Sequence, residues 1–343
     1  MNLRNLLLCA AILAAGTTSA LAWNYPGHRM VNQVALASLP ADFPAFVHEP
    51  ATAERITFLA GEPDRWRNLP DLPLKQYNGL DHYINLEILG EAGLDADQVP
   101  DLRYEFAREF AAGRAAHPDN FAPIDPAKNA DHEREWPGFL PWAITEYYGK
   151  LKSAFSYLKT FEQHGTPEEV ANAQANVVYV MGVMGHYVGD GSQPMHTTIH
   201  HHGWVGDNPH HYSTAYGFHE WIDGGFIAKA NLTWTDLQPQ VKPAQALDVA
   251  SRADGRDPVF VATMKYLEAQ NALVEPLYAL EAAGKLDVKK GVCDPAGRAF
   301  IEGQLLKGGE MLGAIWLTAW RNARPDSYLS TELAHRAAAQ PAR

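Results

Sequence analysis

Apolar residues recur along most of the chain at intervals of three and four, the spacing that places them on one face of an α-helix. The helical stretches predicted from this spacing run from His28 to Leu39, from Thr166 to at least His186, and over 54–59, 98–114, 140–163, 219–230, 257–283 and 295–322. The period-two alternation that marks a half-buried strand is absent. We therefore predict an all-α fold, a multi-helix bundle in a single domain.

Polar stretches rich in Pro and Gly predict the connections between these helices. We expect a break at 61–64, loops over 69–80, 115–138 and 197–217, and a polar tail over 327–343 that follows a domain over 23–326. One helix start carries a specific signature, because Thr166 is followed by Pro167 and, three residues on, by Glu169. This is the pattern of a capping box with Pro in the first turn.

Residues 1–22 have the features of a secretory signal: a basic residue, Arg4, then a short apolar core and a small-x-small cleavage site. The core is too short to span a bilayer, and no later apolar run is long enough. The mature chain is therefore expected to begin at Trp23 and to be secreted or periplasmic. Cys9 would leave with the signal, so Cys293 would have no disulfide partner, and packing or metal would have to hold the fold.

The chain is acidic, with a formal net charge of −12. Electrostatic binding of duplex DNA depends on many contacts from Lys and Arg to phosphate, so this charge disfavours it. Several bound divalent cations would weaken that argument, because they would be the largest charges in their surroundings. Nothing in the sequence indicates an obligate protein partner.

Residues that can bind metal are concentrated between His186 and Asp223. His186 and Asp190, and likewise His219 and Asp223, are four residues apart, so on a helix each pair points its side chains the same way. A single pair of this kind also fits an ordinary hydrogen bond on a helix surface. The residues just before His186 are strongly apolar, which favours a buried helix end. Burying an imidazole and a carboxylate there costs free energy unless the two are paired or bind a metal. Zinc and other first-row divalent ions suit these ligands.

A wider set of positions near structural breaks resembles the superfamily of S1/P1-type nucleases and zinc-dependent phospholipases C. The set is Trp23, His28, Asp64, His82, His186, Asp190, His196, His219 and Asp223. The hallmark of that superfamily is a mature N-terminal Trp whose amine and carbonyl bind a metal, and Trp23 directly follows the expected cleavage site. The short step from Trp23 to His28 and the final Asp223 match the nuclease branch, because phospholipases C have a longer step and a final Glu.

The resemblance implies an all-helical enzyme with three zinc ions that hydrolyses single-stranded nucleic acid or nucleotides by attack of a metal-bound hydroxide on phosphorus. The implied ligands are Asp64, His82, His186 and Asp190 for the first ion, His196, His219 and Asp223 for the second, and Trp23, His28 and Asp190 for the third. Asp190 would thus bridge two cations, as carboxylates do in two-metal phosphoryl-transfer sites. Arg67 stands where the nuclease branch has a phosphate-binding Lys, and its guanidinium would offer bidentate contact to phosphate.

Two features depart from the nuclease pattern. Asn85 stands where the nucleases tend to have Asp, and an amide can orient an attacking water but cannot take its proton. The loop over 197–217 carries His200–His202 and His210–His211 where the nucleases usually have a Gly-Gly-Asn loop. Two alternatives therefore stay open: a phospholipase C-like enzyme that cleaves a lipid phosphodiester, and a non-catalytic zinc-binding protein.

The same loop contains two large aromatic residues, Trp204 and Tyr212. Such side chains can stack on a nucleobase. In a long loop they more often anchor the loop to the protein, so we expect that function here and assign them no role in binding or catalysis.

Overall fold

Helices make up most of the part of the chain that the computed structural model describes, residues 23–339. They are α1 (Tyr25–Ser38), α2 (Pro50–Leu59), α3 (Glu62–Arg67), α4 (Leu72–Asp81), α5 (Leu86–Glu91), α6 (Arg103–Ala116), α7 (Leu140–His164), α8 (Pro167–Ser192), α9 (Phe218–Glu220), α10 (Phe226–Lys229), α11 (Trp234–Leu237), α12 (Pro258–Asn271), α13 (Val274–Ala282), α14 (Pro295–Asn322) and α15 (Ser327–Ala339). A π-helical turn, Trp221–Gly225, joins α9 to α10. The all-α prediction is confirmed, and the signal predicted over 1–22 lies outside the described residues.

Strand structure within 23–339 is limited to one antiparallel hairpin. It pairs β1 (Val288–Lys289) with β2 (Val292–Cys293), with Val288 opposite Cys293. Cys293 is a free thiol. Across the same range, none of the helices combines the length and apolar character needed to cross a membrane.

Helix α8 lies at the centre of the fold and packs against α7, α2, α1 and α14. Its close approach to α1 and α2 depends on glycines on the facing side. A Cβ at Gly182 would lie 2.5 Å from Leu59 Cβ, and one at Gly185 would overlap the side chain of Asn32. Asn32 instead donates hydrogen bonds to the carbonyls of Ile56 and Gly182 and so ties the three helices together. The C-terminal half of α8 is thereby buried on all sides.

The helix start predicted at Thr166 is confirmed. The Thr166 hydroxyl accepts a hydrogen bond from the Glu169 backbone N–H at 3.3 Å, and the Glu169 carboxylate accepts one from the Thr166 N–H at 2.8 Å. This reciprocal pair satisfies two donors that a helix N-terminus otherwise leaves free. Helix α7 also closely matches the segment predicted over 140–163.

Three expectations about the connections are wrong in whole or in part. The helix before the break predicted at 61–64 does end at Leu59, but residues 62–64 already belong to α3, and the loop predicted over 69–80 contains α4, which begins at Leu72. Proline lies in the first turn of both helices, where its missing N–H removes no hydrogen bond. The single helix predicted over 257–283 is divided into α12 and α13.

The stretch predicted as a polar tail contains helix α15, which packs against α7. Leu333 on its inner face is only 5% exposed. Arg336 forms a bidentate ion pair with Glu169, at 2.6 and 2.9 Å, and so connects α15 to the start of α8. The prediction missed α15 because the segment is mostly polar, although the fold buries one face of the helix at Leu333. Residues 340–343 lie outside the described residues.

Candidate metal centre

The buried end of α8 presents one carboxylate to three imidazoles. Asp190 Oδ1 lies 3.3 Å from His28 Nε2, and Asp190 Oδ2 lies 3.0 Å from His82 Nδ1 and 3.4 Å from His186 Nε2. All four side chains are completely buried. His28 comes from α1 and His82 from the end of α4, so the fold brings three separate elements to Asp190.

Nearby His and Asp side chains form three groups, in each of which the candidate ligand atoms lie within 4.8 Å of one another. The first group is Asp64, His82 and His186; the second is His196, His219 and Asp223; the third is His28, His186 and Asp190. The eight His and Asp side chains named from the sequence are therefore all brought together. Two groups differ in part from the implied sets: the first group does not include Asp190, and the third includes His186, which it shares with the first.

The second group is assembled just beyond the end of α8. His196 lies in the 3-10 turn Pro194–Thr197, His219 in α9, and Asp223 in the π-helical turn. His219 Nε2 lies 3.2 Å from Asp223 Oδ2. The other oxygen, Asp223 Oδ1, accepts a hydrogen bond of 2.6 Å from the side-chain amide of Gln193. Gln193 is a site residue that the sequence reading missed, although it lies between Asp190 and His196.

Trp23 lies where the end of α8 meets the second group. Its indole is fully buried, and indole Nε1 donates a hydrogen bond of 2.9 Å to Ser192 Oγ. The backbone N–H of the next residue, Asn24, donates to the carbonyl of Asp223 at 2.9 Å. The start of the described chain is therefore fixed beside the His and Asp groups. Metal binding by the amine of Trp23 stays a prediction.

Backbone carbonyls orient two of the imidazoles. His186 Nδ1 lies 2.7 Å from the carbonyl oxygen of Ala60, and His196 Nδ1 lies 2.6 Å from that of His82. Since a carbonyl can only accept, Nδ1 carries the proton in each ring and Nε2 presents its lone pair to the centre. This is the arrangement that metal-binding histidines adopt in proteins.

Burial suppresses the charged form of every ionisable group in the centre. It lowers the pKa of His186 and of His196 to about 3 and raises the pKa of Asp64 to about 6, although the nearby charge of Arg67 opposes that rise. Burial also raises the pKa of Asp190 and Asp223 well above the usual range of a carboxyl group.

Many polar atoms of the centre have no hydrogen-bond partner among the described residues. They include both ring nitrogens of His28 and His219, both carboxylate oxygens of Asp190, Nε2 of His196, Oδ1 of Asp64 and Oδ2 of Asp223. Burying a polar atom without a partner costs free energy of folding. Imidazole nitrogens and carboxylate oxygens are together typical ligands of divalent cations such as zinc. The donor set therefore fits zinc or another first-row divalent ion.

Two further predicted site residues lie at the edge of the centre. Arg67 ends α3, one turn after Asp64, and its guanidinium forms no hydrogen bond or ion pair with any described residue, although its charge acts on the Asp64 carboxyl group. Asn85 precedes α5, and its Oδ1 is buried without a partner. The adjacent Ile84 N–H donates to the carbonyl of His196 at 2.9 Å, so the Asn85 segment is tied to the second group.

The histidine loop, residues 197–217, is anchored by aromatic packing. The ring of Tyr278 lies 5.3 Å from that of Trp204 and 5.6 Å from that of Tyr212, centre to centre. The Tyr278 hydroxyl donates a hydrogen bond of 2.6 Å to the carbonyl of His200. The anchoring expected of Trp204 and Tyr212 is therefore confirmed.

The chain matches no family model, no curated protein and no solved structure in comparisons with known proteins. Its chemistry must be inferred from the groups themselves. Three contiguous, buried sets of imidazole and carboxylate donors are compatible with several metal ions held close together. An unpaired guanidinium at their edge adds a group able to contact an anion.

Proposed function

We propose that the chain beginning at Trp23 is an exported, zinc-dependent phosphodiesterase that hydrolyses single-stranded nucleic acid or nucleotides. The observation that carries the proposal is the convergence of eight His and Asp side chains into three adjoining buried groups. Bound divalent cations supply Lewis-acid stabilisation of a phosphoryl oxygen and a nucleophile from water at neutral pH. Sites with two or more metal ions occur in many enzymes that act on phosphoryl groups, among them nucleases and phosphatases.

In this proposal Asp190 would be a ligand shared by two cations. Its two oxygens face different imidazoles, Oδ1 towards His28 and Oδ2 towards His82 and His186, so each oxygen is available to a different cation. The amine and carbonyl of Trp23 would complete the third group beside His28. The position of Trp23 against Ser192 supports that role, since it keeps the start of the chain at the end of α8.

Arg67 and Asn85 would act on the substrate and on water. The guanidinium of Arg67 has no protein partner among the described residues, so its planar donors are available to two phosphate oxygens at once. The free Oδ1 of Asn85 would accept a hydrogen bond from the attacking water and orient it. Because an amide does not take up a proton near neutral pH, Asn85 would position the water without acting as a base.

A lipid phosphodiester is the second candidate substrate. Leu69, in the connection after α3, and Leu72, the first residue of α4, lie two and five residues after Arg67 along the chain and are 48% and 49% exposed. Such side chains would suit the apolar part of a lipid. The same groups would then serve a phospholipase C-like reaction.

The substrate is tested by offering single-stranded DNA, RNA and a short-chain phosphatidylcholine in parallel to protein that begins at Trp23, with the zinc content measured. We expect hydrolysis of nucleic acid by protein that holds three zinc ions per chain. Hydrolysis of the lipid alone would contradict the nuclease assignment, and zinc without turnover of any substrate would favour a non-catalytic zinc-binding protein. Asp190→Asn should lose both zinc and activity, whereas Asp119→Asn, at an exposed position outside the centre, should retain both.

The role of the Trp23 amine is tested by adding one Ala ahead of Trp23. The added residue converts the amine to an amide, which is a poor metal ligand, so we expect zinc affinity and activity to fall by about tenfold or more. An extended form as active as the mature one would remove Trp23 from the ligand set. The other groups would be unaffected by that outcome.

A further inference from the structure

The histidine loop brings a further imidazole to the second group. The ring of His202 lies 5.8 Å from that of His219, centre to centre, and is stacked on Tyr216 at 4.1 Å. His202 Nδ1 is buried and has no hydrogen-bond partner among the described residues. It therefore shares the property that marks the ligand atoms of the three groups.

His201 shows the same orientation as the imidazoles of the centre. Its Nδ1 lies 2.9 Å from the carbonyl oxygen of Thr198, which fixes the proton on Nδ1, as in His186 and His196. Its ring packs edge-on against His202, with centres 4.5 Å apart, and lies 6.4 Å from the ring of His219. His201 and Tyr216 thus both pack against the ring of His202.

The protein holds this part of the loop in place. The Glu87 carboxylate accepts hydrogen bonds from the Thr198 hydroxyl at 2.5 Å and from the Ile199 N–H at 3.1 Å. Gly203 adopts φ +102°, and a Cβ there would lie 2.5 Å from the carbonyl carbon of Thr214. Because glycine tolerates both this positive φ and this close contact, the turn after His202 requires a glycine at position 203.

We propose that His202 is a fourth protein ligand of the cation held by His196, His219 and Asp223. Two imidazoles on one zinc ion have ring centres about 5 Å apart, because each Zn–N bond is about 2.1 Å long. The rings of His196 and His219 are 4.9 Å apart, and the ring of His202 lies 5.8 Å from that of His219, so His202 has to move closer to the second group to share its cation. The inference rests on the metal-binding part of the proposed function.

A fourth imidazole changes what the second group can do. Three protein ligands leave one position of a tetrahedral zinc ion open, whereas four close it. His202 would therefore strengthen binding of this cation when no substrate is present, and a substrate oxygen would have to displace it or share the ion with it. The histidine loop would then set the metal affinity of the second group.

The test is cobalt binding by protein that begins at Trp23, measured by competition with a chelator and by visible absorption. Cobalt(II) reports its ligand number through that absorption and can replace zinc at such sites. We expect His202→Gln to weaken one bound equivalent by about tenfold and to change its absorption. His210→Gln, at an exposed position of the same loop, should leave both unchanged.

Rescue separates loss of a ligand from damage to the loop. In His202→Gly the space of the ring is vacated, and added imidazole should restore the affinity and the absorption of the wild-type protein. Unchanged cobalt binding in His202→Gln, or failure of imidazole to restore it in His202→Gly, would overturn the inference. Wild-type protein that binds no cobalt would instead overturn the metal centre, and with it the proposed function.

Discussion

At the scale of single residues, the centre depends on small side chains as much as on ligands. Gly189 lies between His186 and Asp190 on α8, and a Cβ there would be 2.9 Å from His28 Nδ1. The imidazole of His28 can reach Asp190 only because this position has no side chain. Gly189 thus determines the distance between α1 and α8 at the third group.

Gly189→Ala should therefore displace His28 and weaken metal binding by the third group by about tenfold or more. Isothermal titration with zinc measures this effect. Gly149→Ala is the matched control, because Gly149 is exposed on α7 and has no atom within 4 Å of the added Cβ. There the change should only raise the free energy of unfolding, by about 0.5–1 kcal/mol. Equal zinc affinity in the two variants would contradict the packing argument.

Some residues of the metal centre can be predicted from local sequence spacing and others cannot. The spacing of His186 from Asp190, and of His219 from Asp223, is a local signal, and both pairs lie in the centre. Asp64 and His82 have no such spacing and were named only through the resemblance. The role proposed for His202 rests on its position beside Tyr216 and His219, which the run of histidines at 200–202 does not by itself indicate.

Among the helices, those whose ends are set by capping residues in the local sequence can be predicted from the sequence. The capping box at Thr166 identified the start of α8 correctly. Helix α4 was missed because Pro73 and Gly79 are typical of loops. In the fold, Pro73 lies in the first turn, and Gly79 makes room for the carboxylate of Glu133, which would overlap a Cβ at that position. Such tertiary contacts are not visible in the local sequence.

The N-terminal cap of α8 should stabilise the fold without affecting the centre. Thr166→Ala removes the hydroxyl that accepts the Glu169 N–H, so we expect a loss of about 1 kcal/mol in the free energy of unfolding. Denaturant titration measures this loss, and the zinc content should not change. Thr331→Ala, on α15, serves as the control and should change stability by less than about 0.5 kcal/mol. An uncapped variant as stable as the wild type would show that α8 is held by packing alone.

At the scale of the whole molecule, the metal centre is also a stabilising element. Its candidate ligands come from α1, α3, the end of α4, α8, the 3-10 turn after α8, α9 and the π-helical turn, so cations bound there would join most of the first two-thirds of the chain. The described residues contain no disulfide that could do so, because Cys293 is free. Without cations the buried imidazole and carboxylate groups have few hydrogen-bond partners, which lowers the free energy of unfolding.

Removal of metal should consequently lower the thermal stability of the entire domain. A ligand present at 100 times its Kd stabilises the folded state by about 2.7 kcal/mol, so treatment with a strong chelator should lower the Tm by about 5 °C or more. Zinc should restore the Tm. Magnesium should not, because it prefers oxygen ligands to imidazole. A Tm that is the same with and without chelator would indicate that the groups bind no structural cation.

The most direct test of the metal centre is anomalous X-ray diffraction at the zinc edge, from crystals of the chain beginning at Trp23. We expect three zinc peaks, one in each of the three groups, with Asp190 between two of them and the amine of Trp23 in contact with the third-group ion. Peaks that are absent from these groups, or a Trp23 amine remote from every peak, would contradict this expectation.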